Sequence, residues 1–226
     1  MITPYGYDNA FLMLGIGAGL LGLALVTEHP WLRGIVMALG IVVIAFTLWF
    51  FRDPERPLNA QAASDASVLV SPVDGNVTEI VNEPFVDAFG GPAQRITVFL
   101  SPVNLHVNRY PIGGIVSSVA YVAGKYLMAF NPKASEENER SIITIDTPYG
   151  PVVMKQITGF LARRVVYDCT VGTVTKAGAR FGMMKFGSRM DILVAPSATI
   201  CTRVGETVRS SATILARLAG PAASQG

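Results

Sequence analysis

The sequence predicts a mainly β (α+β) protein, in which a barrel- or sandwich-like antiparallel β domain follows an N-terminal membrane hairpin of two helices. Three observations predict this class. Two long uncharged runs stand near the N-terminus, short β-branched runs recur from residue 68 onward, and Gly, Pro, Asn and Asp separate those runs. Short strands that alternate with turn residues are typical of antiparallel sandwiches and barrels.

Composition independently indicates a membrane segment. Of the 226 residues, 50% are hydrophobic and only 15% are charged. The mean hydropathy of +0.42 is too high for an ordinary soluble domain. The net charge of +2 is too small for a nucleic-acid binder, although it suits attraction to anionic lipid headgroups. Cys169 and Cys201 have neither metal-binding nor redox spacing, so both are expected to be buried apolar residues and no metal is predicted.

Residues 1–51 are expected to form the hairpin, with helices at about 10–27 and 34–51. The two uncharged runs are roughly 16 and 18 residues long, which gives about 24–27 Å of helix, the short end of spanning length. No basic segment precedes the first run, which disfavours a cleaved signal peptide. Arg52 and Arg56 follow the second run, whereas the link between the runs carries only Arg33. The rest of the chain is therefore predicted on the cytoplasmic side of the inner membrane. A hairpin that dips into one leaflet is the alternative.

The remaining chain divides into three parts. Residues 52–67 are rich in Pro, Ala, Ser and Asp and are predicted to be a linker. Residues 68–219 are predicted to form a single β domain, and residues 220–226 are predicted to be a disordered tail. One helix is predicted over Leu161 to Asp168. The predicted strands lie near residues 68–70, 77–81, 95–100, 142–145, 152–157 and 191–194.

Few residues are candidates for chemistry. His106 follows a predicted strand, and its imidazole could transfer a proton near neutral pH, although a structural hydrogen bond to nearby backbone would explain it equally. Asp74 stands between Pro72 and Gly75 and is first of all a turn residue. Gly187-Ser188 is the only Gly-Ser pair in the chain.

A Gly-Ser pair is usually a loop, but it can also cleave itself. The serine hydroxyl must attack the glycine carbonyl carbon and convert the amide into an ester. A base must take the hydroxyl proton, donors must hold the oxyanion, and local backbone strain helps. β-Elimination of the ester then gives dehydroalanine, which hydrolyses to an N-terminal pyruvoyl group.

Four segments together resemble the short-type phosphatidylserine decarboxylase proenzymes, and the resemblance spans nearly the whole chain. The segment around the Gly-Ser pair is the most specific of the four. They are Phe50-Phe51-Arg52-Asp53-Pro54-Glu55-Arg56, Ser71-Pro72-Val73-Asp74-Gly75, Phe99-Leu100-Ser101-Pro102 through His106-Val107-Asn108-Arg109, and Phe186-Gly187-Ser188-Arg189-Met190-Asp191.

The resemblance implies cleavage between Gly187 and Ser188, association of the large chain 1–187 with the small chain 188–226, and a pyruvoyl cofactor derived from Ser188 with no metal. The pyruvoyl group would form a Schiff base with the amine of membrane phosphatidylserine and release phosphatidylethanolamine. Arg109, Arg189 and Lys185 are candidates to hold the phosphate or carboxylate. A homo-oligomer is compatible with the sequence, and so is an ether-lipid substrate with the same headgroup.

One departure concerns the proton acceptor. Longer relatives in this family carry two histidines spaced three apart, and they use an aspartate and one histidine for self-cleavage. Asp74 matches the aspartate and His106 the first histidine, but Arg109 stands where the second would be. A guanidinium stays protonated and is no ordinary base. Either His106 serves both steps, or self-cleavage relies on Asp74 and strain.

A different class of function is the alternative. Met183-Met184-Lys185 loosely resembles a modifiable lysine at the tip of a hairpin. The chain would then be a membrane-tethered carrier or adaptor with a biotinyl- or lipoyl-like β domain, and Asp74-Gly75 would be purely structural.

Overall fold

A computed structural model describes residues 2–128, 131, 133–159, 165–185 and 187–220. The chain forms two compact units, Met1–Pro54 and Glu55–Gly226.

The first unit contains two long apolar helices, α1 (Tyr7–Val26) and α2 (Pro30–Phe50), after a short 3₁₀ turn at Pro4–Gly6. Both helices are long and apolar enough to cross a membrane. Each begins a few residues earlier than the sequence predicted. Pro30 begins α2 and does not lie in the link, because the first position of a helix needs no backbone N–H donor.

Glycines let the two helices approach closely. A β-carbon on Gly17 would lie 3.2 Å from the carbonyl oxygen of Gly40, and one on Gly40 would lie 3.0 Å from that of Gly17. Small residues at such a crossing replace side-chain packing by backbone contact, as in membrane helix pairs. The N–H of Thr3 donates to the carbonyl of Phe51 (2.9 Å) and closes the hairpin.

The second unit is built on a curled, antiparallel half-barrel sheet, which confirms the predicted fold class. Its eight strands, in their order across the sheet, are β13 (Thr207–Val208), β2 (Gly75–Val86), β3 (Gly91–Leu100), β11 (Ser188–Val194), β7 (Gly150–Ile157), β6 (Arg140–Thr147), β5 (Gly114–Val122) and β9 (Val174–Thr175).

Two three-stranded sheets and two short helices complete this unit. One sheet consists of β1 (Val68–Val70), β14 (Ile214–Arg217) and β12 (Thr199–Ile200), and the other of β4 (Val107–Arg109), β10 (Arg180–Met184) and β8 (Val165–Tyr167). The helices are α3 (Ala60–Ser64) and α4 (Ala134–Glu137), and a 3₁₀ turn covers Asp87–Phe89.

The main core lies between one face of the half-barrel and the two small sheets. Met190 and Ile192 of β11 pack in the same cluster as Leu69, Phe181 and Leu215 of the small sheets. The opposite face of the half-barrel carries charged residues and a smaller apolar cluster of Ala93, Val153 and Leu193. Since side chains alternate along a strand, each residue of β11 faces either the main core or this charged face.

The helix predicted over 161–168 is wrong where it can be checked. Residues 161–164 lie outside the described residues, while Val165–Tyr167 is strand β8 and pairs with β10. Two valines and a tyrosine in succession favour an extended backbone, and partner strand β10 supplies the hydrogen bonds. The predicted tail after Gly220 also lies outside the described residues.

Candidate active site

Ser188 is the first residue of β11, a strand that lies between β3 and β7 in the half-barrel. Its register partner on β3 is Leu100. The residue is fully buried, and its Oγ has no hydrogen-bond partner among the described residues. An unsatisfied buried hydroxyl costs stability, and such groups in native proteins often have a chemical role.

Gly187 adopts a backbone conformation that favours glycine. Its φ is +71°, in the left-handed region, and the nearest described atom to a β-carbon there would be one of Pro102, at 3.8 Å. There is therefore room for a side chain, and the conformation itself is what disfavours one.

His106 lies beside the Gly187-Ser188 bond. The N–H of Gly187 donates to His106 Nε2 at 3.4 Å, and His106 Nδ1–H donates to the carbonyl of Asn104 at 2.9 Å. A carbonyl oxygen can only accept, so these partners assign the proton to Nδ1 and leave Nε2 as the unprotonated acceptor. The ring is fully buried and presents the lone pair of a neutral imidazole to the Gly-Ser segment.

Sequence reasoning missed the polar residues that hold His106. The Asn104 side chain accepts from the N–H of Ser101 (2.9 Å), which fixes the turn and therefore the Asn104 carbonyl. Asn108 Nδ2 donates to the His106 carbonyl (3.2 Å), and Gln156 Nε2 of β7 donates to Asn108 Oδ1 (2.6 Å). The available signal was the neutral polar side chains of Asn108 and Gln156, each next to an apolar residue of its strand.

The hydrogen-bond partners described for Asp74 lie outside the Gly187-Ser188 segment. Its carboxylate accepts from Arg56 Nη2 at 2.5 Å and from the N–H of Ser210 at 2.8 Å. The described contacts of Asp74 thus lie with Arg56 and Ser210, and not with the Gly187-Ser188 segment.

Arg109, at the position of the second histidine, is buried, and its Nη1 donates to the carbonyl of Gly178 (3.0 Å). Its neighbour Asn108 points toward Gln156 on the half-barrel. Alternation along β4 therefore directs Arg109 away from the half-barrel.

Arg189 belongs to a buried ion network on the charged face. Its Nε lies 3.3 Å from Asp191, and its Nη2 donates to Thr97 (3.1 Å) and Glu79 (3.3 Å). Arg95 joins the network through Glu79 (2.9 Å). Burial alone would lower the pKa of Arg95, but Asp191 and the adjacent glutamates raise it above its usual value. Arg189 thus stabilises the strand that begins at Ser188 and has its charge neutralised by protein carboxylates.

The cavity on the charged face of the half-barrel does not coincide with this site. A cavity of about 660 Å³ lies on the charged face of the half-barrel, where Arg95, Lys155 and Asp191 line it. Ser188 shares the other face with Met190, which packs in the main core. The buried hydroxyl with its neighbouring imidazole therefore marks the chemical site, and this cavity does not.

Lys185 lies two residues before Gly187 in the chain and is only 5% exposed. A carrier lysine must be presented to a modifying enzyme, so the carrier alternative finds no support in this position. Phe186 lies outside the described residues. Within the described ranges, no group of three His, Cys, Asp or Glu side chains is arranged to hold a metal ion.

Comparison with known proteins identifies one family. The model of the phosphatidylserine decarboxylase family matches residues 43–216. A phosphatidylserine decarboxylase proenzyme of Salinibacter ruber is 46% identical over 193 residues, with 84% of each chain covered. The proenzyme of Chlorobium chlorochromatii is 42% identical over 187 residues, which is 83% of this chain and 84% of the relative. That of Pelodictyon phaeoclathratiforme is 38% identical over 221 residues, which is 96% of this chain and the whole of the relative.

Proposed function

Because this chain belongs to the phosphatidylserine decarboxylase family, we propose that it decarboxylates phosphatidylserine to phosphatidylethanolamine in phospholipid biosynthesis, after cutting itself between Gly187 and Ser188. The observation that carries the proposal is the meeting of three groups. They meet at a single peptide segment: the Ser188 hydroxyl, which has no partner among the described residues, the left-handed backbone of Gly187, and the lone pair of His106 Nε2.

The self-cleavage begins with attack of Ser188 Oγ on the carbonyl carbon of Gly187. The hydroxyl proton goes to a base, for which His106 Nε2 is the candidate, and the C–N bond breaks as the nitrogen of Ser188 takes a proton. The resulting ester loses the Gly187 carboxylate by β-elimination. Water then replaces the nitrogen of the dehydroalanine, so that ammonia leaves and a pyruvoyl group remains at residue 188.

A pyruvoyl group supplies an electrophilic ketone and an electron sink for loss of carbon dioxide. The residues present fit such a group at position 188. The backbone of β11 is held on both sides, by β3 and by β7, and burial excludes bulk water from the Ser188 side chain. His106, whose Nε2 accepts from the N–H of Gly187, would be the residue that donates a proton to the carbon that loses carbon dioxide, which is the second of the two roles open to it.

The cut leaves the two chains joined by strand pairing. In the small chain 188–226, β11 pairs with β3 and β7, β13 pairs with β2, and β14 pairs with β1. All four partner strands belong to the large chain 1–187. Cleavage before the first residue of β11 would therefore break the backbone at the end of the strand. The hydrogen bonds between β11 and its two neighbouring strands would stay intact.

The hairpin would anchor this domain where its substrate lies. Two helices of spanning length keep the chain at the bilayer, so the acyl or ether chains of the lipid need not leave it. Arg52 and Arg56 after α2 favour the cytoplasmic side of the inner membrane. Lys185, buried two residues before Gly187, is the candidate to hold the carboxylate or phosphate of the headgroup. Arg189 is assigned to strand positioning because carboxylates already bind it.

Denaturing mass spectrometry of the purified protein tests the proposal. We expect two chains, residues 1–187 and 188–226, with the smaller chain blocked to Edman degradation because a ketone replaces its amine. A single intact chain of 24.1 kDa with no decarboxylase activity would contradict it.

Replacement of Gly187 by alanine is expected to slow self-cleavage by about tenfold. Alanine fits the space but costs about 1–2 kcal/mol in the left-handed conformation, so less of the precursor holds the reactive geometry. Gly187→Asn is the matched control, because asparagine tolerates that conformation better and should cleave faster than the alanine variant. The fraction of intact precursor against time, read by gel electrophoresis, measures both rates. Equal rates for the two variants would show that the left-handed conformation is not required.

A further inference from the structure

The cavity on the charged face of the half-barrel has the size of a ligand site, and the proposed function makes no use of it. Its volume is about 660 Å³, within the range of small-molecule pockets in proteins. Strands β3, β5, β6, β7 and β11 form its floor, and the 3₁₀ turn after β2 and helix α4 border it. All these elements belong to the second compact unit, so one unit contains the whole cavity.

Thr144 places a buried hydroxyl without a partner in this cavity. The residue is only 8% exposed, and its hydroxyl makes no hydrogen bond to any described residue. Its neighbours Ile143 and Ile145 pack in the main core, so alternation along β6 directs Thr144 to the charged face. A buried hydroxyl left unsatisfied in a native protein needs an explanation, and a ligand in the cavity would provide the missing partner.

Two cations line the cavity, and both lie beside carboxylates. Arg95 Nε binds Glu83 at 2.5 Å, and Arg95 Nη1 lies 3.7 Å from Asp191. Lys155 is the register partner of the same Asp191, and it has no ion pair with a described residue. Because five carboxylates line the cavity against these two cations, three carboxylates are left over and the surplus charge is negative.

The three remaining carboxylates are those of Asp87, Glu136 and Asp146, and none of them forms an ion pair within the described part of the chain. Glu136 follows Ser135, which donates to Asp191 at 2.6 Å and holds α4 over that part of the sheet. Through Lys155, Asp191 is level with Ile142 of β6, and Asp146 lies four residues further along the same strand. Glu136 and Asp146 therefore stand at opposite ends of the cavity, about 13 Å apart along the strand direction.

An apolar surface joins the two ends. Val86, Ile142 and Val153 pack in one small cluster, and all three line the cavity. Val153 is the register partner of Thr144, so the unsatisfied hydroxyl lies at the middle of this surface. Asp87 follows Val86 in the chain and adds a carboxylate beside it. The cavity thus presents negative charge at both ends, with apolar side chains and one hydroxyl between them.

We propose that this cavity binds a long aliphatic diamine or polyamine. One ammonium group binds Glu136, the other binds Asp146 with Asp87 nearby, and the methylene chain covers Ile142 and Val153. Ammonium groups only donate hydrogen bonds and match carboxylates, which only accept. An inner amine of the ligand donates to the Thr144 hydroxyl. Carboxylates spread over this length cannot converge on one metal ion. Binding here goes beyond the decarboxylation of the proposed function and does not depend on it.

Isothermal titration calorimetry on the full chain in neutral detergent micelles tests the proposal. The probes are octamethylenediamine and trimethylenediamine, which carry the same charge and differ in length, and magnesium chloride, all at one ionic strength. We expect one molecule of the long diamine to bind and the short diamine to bind about tenfold more weakly, because it reaches only one end. No saturable binding of the long diamine, or equal affinity for the short diamine or for Mg²⁺, would overturn the proposal.

Variants test the residues. The probe for Thr144 is spermidine, a polyamine with an inner amine. Thr144→Val keeps the shape and removes a hydroxyl that has no described partner, so it should fold normally and raise the Kd of spermidine about tenfold. Glu136→Gln should abolish the preference for the long diamine. Glu28→Gln, at an exposed carboxylate in the link between α1 and α2, should keep both affinities in full.

A further variant determines the sign of the ligand's charge. Lys155→Gln removes a cation that repels ammonium groups, so it should not weaken binding of the long diamine. Weaker binding in this variant, or unchanged binding in both Thr144→Val and Glu136→Gln, would contradict the proposed site. Cleavage at 187/188, measured on the same samples, reports on the proposed function separately.

Discussion

Replacement of Ser188 by alanine is expected to leave the protein as one uncleaved chain without decarboxylase activity. The nucleophile and the precursor of the pyruvoyl group are lost together, so the cleavage rate should fall by at least roughly 10³-fold. Gel electrophoresis of the precursor over time and carbon dioxide release from phosphatidylserine measure the two effects.

A measurement of stability separates this loss from misfolding. The Ser188 hydroxyl is buried without a described partner, so its removal should leave the midpoint of thermal unfolding unchanged or raise it. Ser117→Ala is the control. Ser117 donates a hydrogen bond to Asp146 on the other side of the sheet, so this variant should cleave normally. Carbon dioxide release by the Ser188→Ala variant would contradict the assignment of the cofactor.

Replacement of His106 by glutamine is expected to slow self-cleavage by about 10²–10⁴-fold, the usual contribution of a general base. Glutamine can still accept from the N–H of Gly187, but its amide cannot take the proton of Ser188. His29→Gln, at the only other histidine of the chain, should cleave at the normal rate. The rate of precursor loss at constant pH measures both variants.

The companion substitution Asp74→Asn decides which group is the base. Asp74 is engaged by Arg56 and Ser210, so we expect its loss to weaken the fold locally and to slow cleavage less than His106→Gln does. Normal cleavage in His106→Gln together with arrest in Asp74→Asn would assign the base to Asp74 instead.

The sequence could assign His106, Gly187 and Ser188 to one candidate site, because the segments that carry them resemble one family. It could not predict the partners of Asp74. Arg56 and Ser210 lie 18 and 136 residues away in the chain, and no local pattern marks such pairs. The burial of Arg189 could not be predicted for a similar reason, since its partners Glu79 and Thr97 come from other strands of the sheet.

Local patterns predicted the strands better than they predicted strand pairing. The β-branched runs of β3, β6 and β7 were recognisable, because β-branched residues favour strands and turn residues separate the runs. The short strand β8 was mistaken for a helix, since three residues carry too little periodicity and its partner β10 lies well beyond it in the chain. The His106 supports Asn104, Asn108 and Gln156 likewise depend on contacts between strands.

The proposed cut at the start of β11 would have a consequence for refolding. Before cleavage, all pairings of β11, β13 and β14 form within one chain, and their assembly is a unimolecular process. After such a cleavage, the same pairings would join two molecules, so that unfolding would release a 39-residue fragment (188–226) into solution. Reassembly would then be a second-order reaction, which slows as the protein is diluted. The lifetime of the cleaved protein at low concentration would therefore be set by its unfolding rate rather than by its free energy of unfolding.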